Sequence, residues 1–189
     1  MITGGASDLH ISISGSKSES NRALILQAFA SDRIVIENLS DSDDTRALIQ
    51  ALELAHESSG SSAEIKIDCG HAGSTFRFLA AYFAGLAGKE IILTGSEQLQ
   101  QRPMAPLIAA LQALGADITY LAQEGFAPIR ISGKNLQASN VIEIDSSKSS
   151  QYISALLLIG SQLAGGLNLH LSQNRVSNAY IQMTIALLK

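Results

Sequence analysis

Residues 64–95 read "EIKIDCGHAGSTFRFLAAYFAGLAGKEIILTG" and change hydrophobic period twice. Charged residues alternate with isoleucine at 64–68, the pattern of a half-buried strand, and residues 90–95 return to a short β-branched run. Between them "STFRFLAAYFAGL" has the apolar spacing of a helix over 74–86. Strand, helix and strand in succession place the chain among α/β proteins.

The same alternation extends to both sides. "LHISI" (9–13), "RIVIENL" (33–39) and "VIEID" (141–145) read as strands, and helical periodicity covers 20–30, 44–56, 103–115, 149–163 and 177–188. "DITYLA" and "PIRISG" form a hairpin around Gly125. The order is strand, helix, strand, helix, then a strand pair, and it repeats. One kind of helix opens on a small-residue turn, in "SGSKSESNRALIL", "CGHAGSTFRFLAAYFAG" and "IDSSKSSQYISALLLIG". The other follows an acidic or polar turn, in "DSDDTRALIQALELA", "QQRPMAPLIAALQALGA" and "NRVSNAYIQMTIALLK". Two alternating helix types imply internal duplication. The last unit is expected to be incomplete, because its second helix runs into Lys189 with no glycine cap and no following strand pair. A fragment of this kind would leave Ile185, Leu187 and Leu188 in need of a neighbour.

Composition narrows the function. With 46% hydrophobic residues in 189, the chain can bury a sizeable core. A net charge of -4 argues against a nucleic-acid surface, which shows a basic excess or stripe. Cys69 is the single cysteine, so neither a disulfide framework nor a cysteine metal site is expected, in keeping with a reducing cytoplasm. His10, His56, His71 and His170 lack metal-ligand spacing, and no bound metal or cofactor is expected. The first residues lack the regions of a signal peptide, and the apolar stretch "YISALLLIGSQLAGGL" is broken by Ser154, Ser161, Gln162 and glycines. No membrane segment is predicted.

The helix starts carry charge of the wrong sign. A helix N-terminus is the positive pole of the macrodipole, yet Lys17 and Arg22 stand in or near the first turn of the first helix. Arg77, Arg102 and Lys148 repeat this placement, and small-residue turns (Gly15, Ser16 and Ser18; Gly70, Gly73 and Ser74; Ser146, Ser147, Ser149 and Ser150) supply backbone N–H groups and hydroxyls beside them. With only thirteen Lys and Arg in the chain, the gathering points to one polyanion pocket at the carboxyl ends of adjacent strands. A P-loop is excluded by spacing, as "SGSKS" has one glycine before Lys17. "GHAG" is not a dinucleotide fingerprint, and "SSKSSQ" lacks the elbow of a serine hydrolase.

Five motifs in order, "SGSKSESNRALIL", "HAGSTFR", "LTGSEQLQQRPMAPLIAALQALGA", "SSKSSQYISALLL" and "VSNAYIQMT", resemble those of the 5-enolpyruvylshikimate-3-phosphate synthase family. The resemblance spans nearly the whole chain but only about the first half of the family's length. It implies an enolpyruvyl transferase-like lobe of repeated βαβαββ units, the third incomplete. Residues 1–13 would hold a strand of the C-terminal lobe, and 14–189 the truncated N-terminal substrate-binding lobe.

By the resemblance, Lys17, Ser18 and Arg22 contact shikimate 3-phosphate, with Lys17 also reaching phosphoenolpyruvate. Ser149, Ser150 and Gln151 bind the same substrate, Gln151 touching both, and Ser177 adds a phosphate contact. Gly73 and Arg102 lie on the phosphoenolpyruvate side, where the family's analogue glyphosate also binds. Tyr180 is either a pocket-lining aromatic or an ordinary core tyrosine. The acid and base groups belong to the C-terminal lobe, so no catalytic residue is expected in this chain. It would bind but not turn over, as part of a cytoplasmic enzyme that is a monomer at full length.

Three departures from the family pattern are His71 for Asn, Ser74 for Thr and Phe78 for Pro. His71 is either a substrate contact or a larger wall residue. Gln98 stands where relatives can carry Arg, which would weaken the electrostatic funnel. Two alternatives remain: UDP-N-acetylglucosamine enolpyruvyl transferase, disfavoured by "KSESNR" and "SSKSSQ", and a non-enzymatic anion-binding fragment.

Overall fold

A computed structural model describes residue 11 and residues 13–30, 33–58, 63–137, 141–145, 147–172 and 177–189. Its elements are α1 (Lys17–Phe29), α2 (Asp43–Glu57), β1 (Ile65–Asp68), α3 (Gly73–Ala84), β2 (Glu90–Thr94), α4 (Glu97–Gln100), α5 (Ala105–Ala113), β3 (Asp117–Tyr120), β4 (Ile129–Ser132), β5 (Ile142–Ile144), α6 (Ser150–Gly160), β6 (Leu169–Leu171) and α7 (Asn178–Leu187).

Residues 64–95 form β1, α3 and β2. β1 and β2 run parallel with Ile65 beside Ile91, β4 pairs antiparallel to β2, and β3 closes the sheet in the order β1-β2-β4-β3. Alternation decides which face is buried. Ile65, Ile67, Ile91, Leu93, Ile118, Ile129 and Ile131 are buried, while Lys66, Asp68 and Arg130 are exposed. The hairpin around Gly125 is formed, with Gly125 at φ +85° where a left-handed turn requires it. β5 and β6 make a second, parallel pair around α6.

The helices differ in burial. α3 buries ten of its twelve residues, Phe76, Phe78, Leu79 and Phe83 among them, and α6 is buried nearly all round. A helix apolar on every side belongs in the interior. α2 buries only Thr45, Leu48, Ala51 and Ala55, one stripe at helical spacing, as expected of a covering helix. Cys69 is 2% exposed and packs in the core; burial, and then Asp68, push its thiol up to about 12.

Some expectations change. Residues 33–39 do not pair as a strand: Ile34 and Val35 are 38% and 85% exposed, and only Ile36 and Leu39 pack on the core. Apolar alternation supplies a face, but a strand also needs a partner for its N–H and C=O groups, and none stands beside it among the described residues. The strand expected at 9–13 lies outside the described residues except for Ile11 and Ile13, which are exposed. Ser146 also lies outside them. β6 and α4 were not expected. At the end of α7, Ile185 packs against the core and Leu188 is half-buried, leaving Leu187 as the exposed one of the three. Among the described residues no helix is long and apolar enough to cross a membrane.

Candidate anion-binding site

α1 begins where the chain turns tightly. A β-carbon on Gly15 would stand 1.8 Å from the Asn38 carbonyl oxygen, so only glycine allows residues 38–39 to lie against this turn. Ser16 then caps the helix, its hydroxyl accepting from the Glu19 N–H at 3.4 Å. Lys17 reaches sideways to Asp44 at 3.2 Å and stays half exposed. One turn on, Arg22 is buried at 3% exposure. It donates from Nη1 to the Ser18 carbonyl at 2.7 Å, from Nε to Thr184 Oγ1 at 2.7 Å and from Nη2 to Ser154 Oγ at 2.9 Å. Burial lowers its pKa to about 10, with partial relief from Tyr180.

The β1–α3 and β2–α4 turns meet at the carboxyl edge of the parallel strands. Gly70, at φ +53°, donates its N–H to Asp68 Oδ1 at 2.8 Å, and its carbonyl accepts from the Ser96 N–H at 2.9 Å. α3 thus starts beside the loop that carries Arg102. Arg77, 7% exposed, straps the two together: Nη1 donates to the Gly73 carbonyl at 2.9 Å and Nη2 to the Pro103 carbonyl at 3.1 Å. The Tyr152 ring supports the guanidinium, its centroid 5.4 Å away, and the Tyr152 hydroxyl also donates to Pro103. The Arg77 Nε is buried without a partner among the described residues. Ala72 and Ser177, the N-caps of α3 and α7, make no side-chain cap hydrogen bond to the helix N–H groups.

α6 is capped by Ser149, which accepts from the Gln151 N–H at 3.2 Å, and Gln151 Nε2 donates to Ser74 Oγ at 2.8 Å, joining α6 to α3. Ser177, in left-handed backbone at φ 55°, begins α7. Lys148 is exposed near Asp145, whose carboxyl is held below its ordinary range first by the Ser147 hydroxyl and N–H.

These pieces surround one open cavity of about 420 Å³, lined at the starts of α1, α3, α6 and α7 and by Arg102. Of the residues expected at the site, Lys17, Ser18, Arg22, Arg102, Ser149, Ser150, Gln151 and Ser177 all line it. Gly73 is buried in the wall behind them, where a β-carbon would stand 2.8 Å from Arg102 Nη1 and 2.9 Å from Arg77 Nη1. Tyr180 resolves as a lining aromatic, 44% exposed. His71 is not a lining residue; it is exposed and hydrogen-bonded to Ser96 at 2.8 Å.

The electrostatics are one-sided. Five of the chain's thirteen Lys and Arg line the cavity, with no carboxylate and no imidazole among the lining residues. Among the described residues only Lys17 of the five has a carboxylate within ion-pair distance, and Lys148 has the charge of Asp145 nearby. Four helix N-termini add their partial positive charge. Such a cavity is complementary to a multiply charged anion bearing phosphate or carboxylate groups. Ser154 and Thr184, which hold Arg22, were not singled out from the sequence. Their one signal is a hydroxyl on the buried face of an otherwise apolar helix.

A family model for EPSP synthase (3-phosphoshikimate 1-carboxyvinyltransferase) matches residues 4–189. A 3-phosphoshikimate 1-carboxyvinyltransferase of Bacteroides fragilis (strain YCH46) is 46% identical over 179 residues, 95% of this chain and 41% of that protein. The protein of that name from Aliivibrio salmonicida (strain LFI1238) is 35% identical over 197 residues, 94% of this chain and 46% of the relative. The solved EPSP synthase from Acinetobacter baumannii superimposes with a TM-score of 0.68 at 20% identity, over 91% of this chain and 42% of that one. The chain therefore spans less than half the length of the relatives it matches. On the extent of the family match, joined to a shared fold and a cation-lined cavity, the chain belongs to the EPSP synthase family.

Proposed function

We propose that this chain supplies the anion-binding half of a cytoplasmic, monomeric 3-phosphoshikimate 1-carboxyvinyltransferase, the enzyme that transfers the enolpyruvyl group of phosphoenolpyruvate to the 5-hydroxyl of shikimate 3-phosphate. The observation that carries the reading is the cavity with five cations, four helix starts and no carboxylate. Two dianions repel each other, and a site that neutralises both removes that barrier and supplies proximity.

In this reading Lys17, Ser18, Arg22, Ser149, Ser150 and Ser177 hold shikimate 3-phosphate, Gln151 spans both ligands, and Gly73 and Arg102 border phosphoenolpyruvate. Proton transfer is assigned to the C-terminal lobe by the family resemblance, in keeping with a lining that includes neither a carboxylate nor an imidazole. Residues 1–13 would contribute a strand to that lobe.

Calorimetry on the chain tests this directly. Shikimate 3-phosphate is expected to bind, a UDP-sugar is not, and phosphate release from phosphoenolpyruvate is expected only when the C-terminal half is added. Preferential binding of the UDP-sugar, or turnover by the chain alone, would overturn the reading.

A further inference from the structure

A buried arginine ordinarily sits against a carboxylate, because an unpaired charge in the interior is costly. Arg22 sits instead against hydroxyls. Its Nε and Nη2 meet Thr184 Oγ1 and Ser154 Oγ at 2.7 and 2.9 Å, and those two oxygens are 2.9 Å apart. Both residues are 0% exposed, and Thr184 also reaches the Tyr180 carbonyl at 2.8 Å. The rings of Phe78 and Tyr180 flank the guanidinium at 5.2 and 5.8 Å. No carboxylate pairs with Arg22 among the described residues, yet its side chain lines the cavity.

We propose that Ser154 and Thr184 are positioning residues, a buried hydroxyl pair that aims Arg22 at an anionic group of the substrate while leaving its charge unneutralised.

Each alternative at these positions fails for a physical reason. A carboxylate would form the bidentate pair that guanidinium favours and would compete with the incoming anionic group. An apolar pair would strand two buried donors. A hydroxyl accepts a hydrogen bond without cancelling the charge, and of the five guanidinium N–H donors at least one on Nη1 stays free for a ligand. The pair also ties α1 to α6 and α7, so that Ser18, Ser150 and Ser177 keep their places around one anion.

The inference rests on the function proposed above, and the test separates the two. Shikimate 3-phosphate is titrated calorimetrically into the chain and its Thr184→Val, Thr184→Ser and Ser154→Ala variants, with melting temperatures taken in parallel. Thr184→Val keeps the shape and loses the hydroxyl, so affinity should fall about tenfold, the effect of about 1.4 kcal/mol. Thr184→Ser should restore it. In NMR spectra the Arg22 Nε–H, assigned by its loss in Arg22→Lys, should exchange slowly in the unmodified chain and in Thr184→Ser but quickly in Thr184→Val. Equal affinities for the unmodified chain and Thr184→Val would overturn the positioning role and leave the proposed function standing. So would a loss that tracks the melting temperature and is not rescued by Thr184→Ser. No binding by the unmodified chain would remove both.

Discussion

One methyl group at Gly73 would meet two guanidinium groups, 2.8 Å from Arg102 Nη1 and 2.9 Å from Arg77 Nη1. Arg77 is pinned by two carbonyls and a ring, so the exposed Arg102 must give way. Gly73→Ala should therefore raise KM for phosphoenolpyruvate about three- to tenfold in the enzyme assembled with its C-terminal half, an effect of about 1 kcal/mol, with little change in melting temperature. Unchanged KM would show that Arg102 does not touch that substrate. Arg22 makes a prediction about pH. Burial lowers its pKa from the ordinary guanidinium range to about 10, so the unfolded chain holds that proton more tightly. Stability from this group therefore rises as pH climbs from about 10 towards the ordinary guanidinium range, while its pull on an anion is lost as pH passes about 10. The affinity ratio between the unmodified chain and Arg22→Gln for shikimate 3-phosphate should fall as pH approaches and passes about 10. The ratio cancels the contributions of the other cations. A ratio flat across that range would contradict the assignment.

Helix starts and helix ends should respond differently to the same kind of change. Gly15→Ala would drive a methyl to within 1.8 Å of the Asn38 carbonyl oxygen at the head of α1, and Gly133→Ala to within 2.0 Å of the Leu86 carbonyl oxygen beyond the tail of α3. Both obstacles are backbone, so each change should cost about 1–3 kcal/mol in urea unfolding. Only Gly15→Ala should also weaken anion binding, because Lys17 and Ser18 follow that turn while Gly133 lies at the far end of α3 from Gly73. Calorimetry at a temperature where both variants are folded checks this; equal binding would detach the α1 turn from the site. The strand misread at 33–39 teaches the same lesson. Periodicity reports which side of a segment is apolar, whereas pairing depends on a neighbour that a local pattern does not contain.

Across the fold, β1 to β4 run in the order strand, helix, strand, a short helix and a longer one, strand, strand, and β5, α6, β6 and α7 follow as strand, helix, strand, helix. Parallel strands put the starts of the following helices on one edge, and this converts scattered cations into a single cavity. Lys17, Ser18, Arg102 and the serines at 149 and 150 were legible in the sequence because each contradicts its own surroundings: a cation near a positive helix pole, or a run of hydroxyls before an apolar helix. Alternation and helical spacing likewise sufficed for the α/β class and the hairpin, since those depend on residues a few positions apart. Ser154, Thr184 and the strap made by Arg77 were not legible. A lone hydroxyl in an apolar helix reads as a tolerated core residue, and Arg22 and Thr184 are 162 positions apart in the chain. The local pattern settles which residues are out of place; only the packing of α1, α6 and α7 decides that one arginine stays charged, oriented and unpaired, because that requires three distant segments to exclude water from the same point.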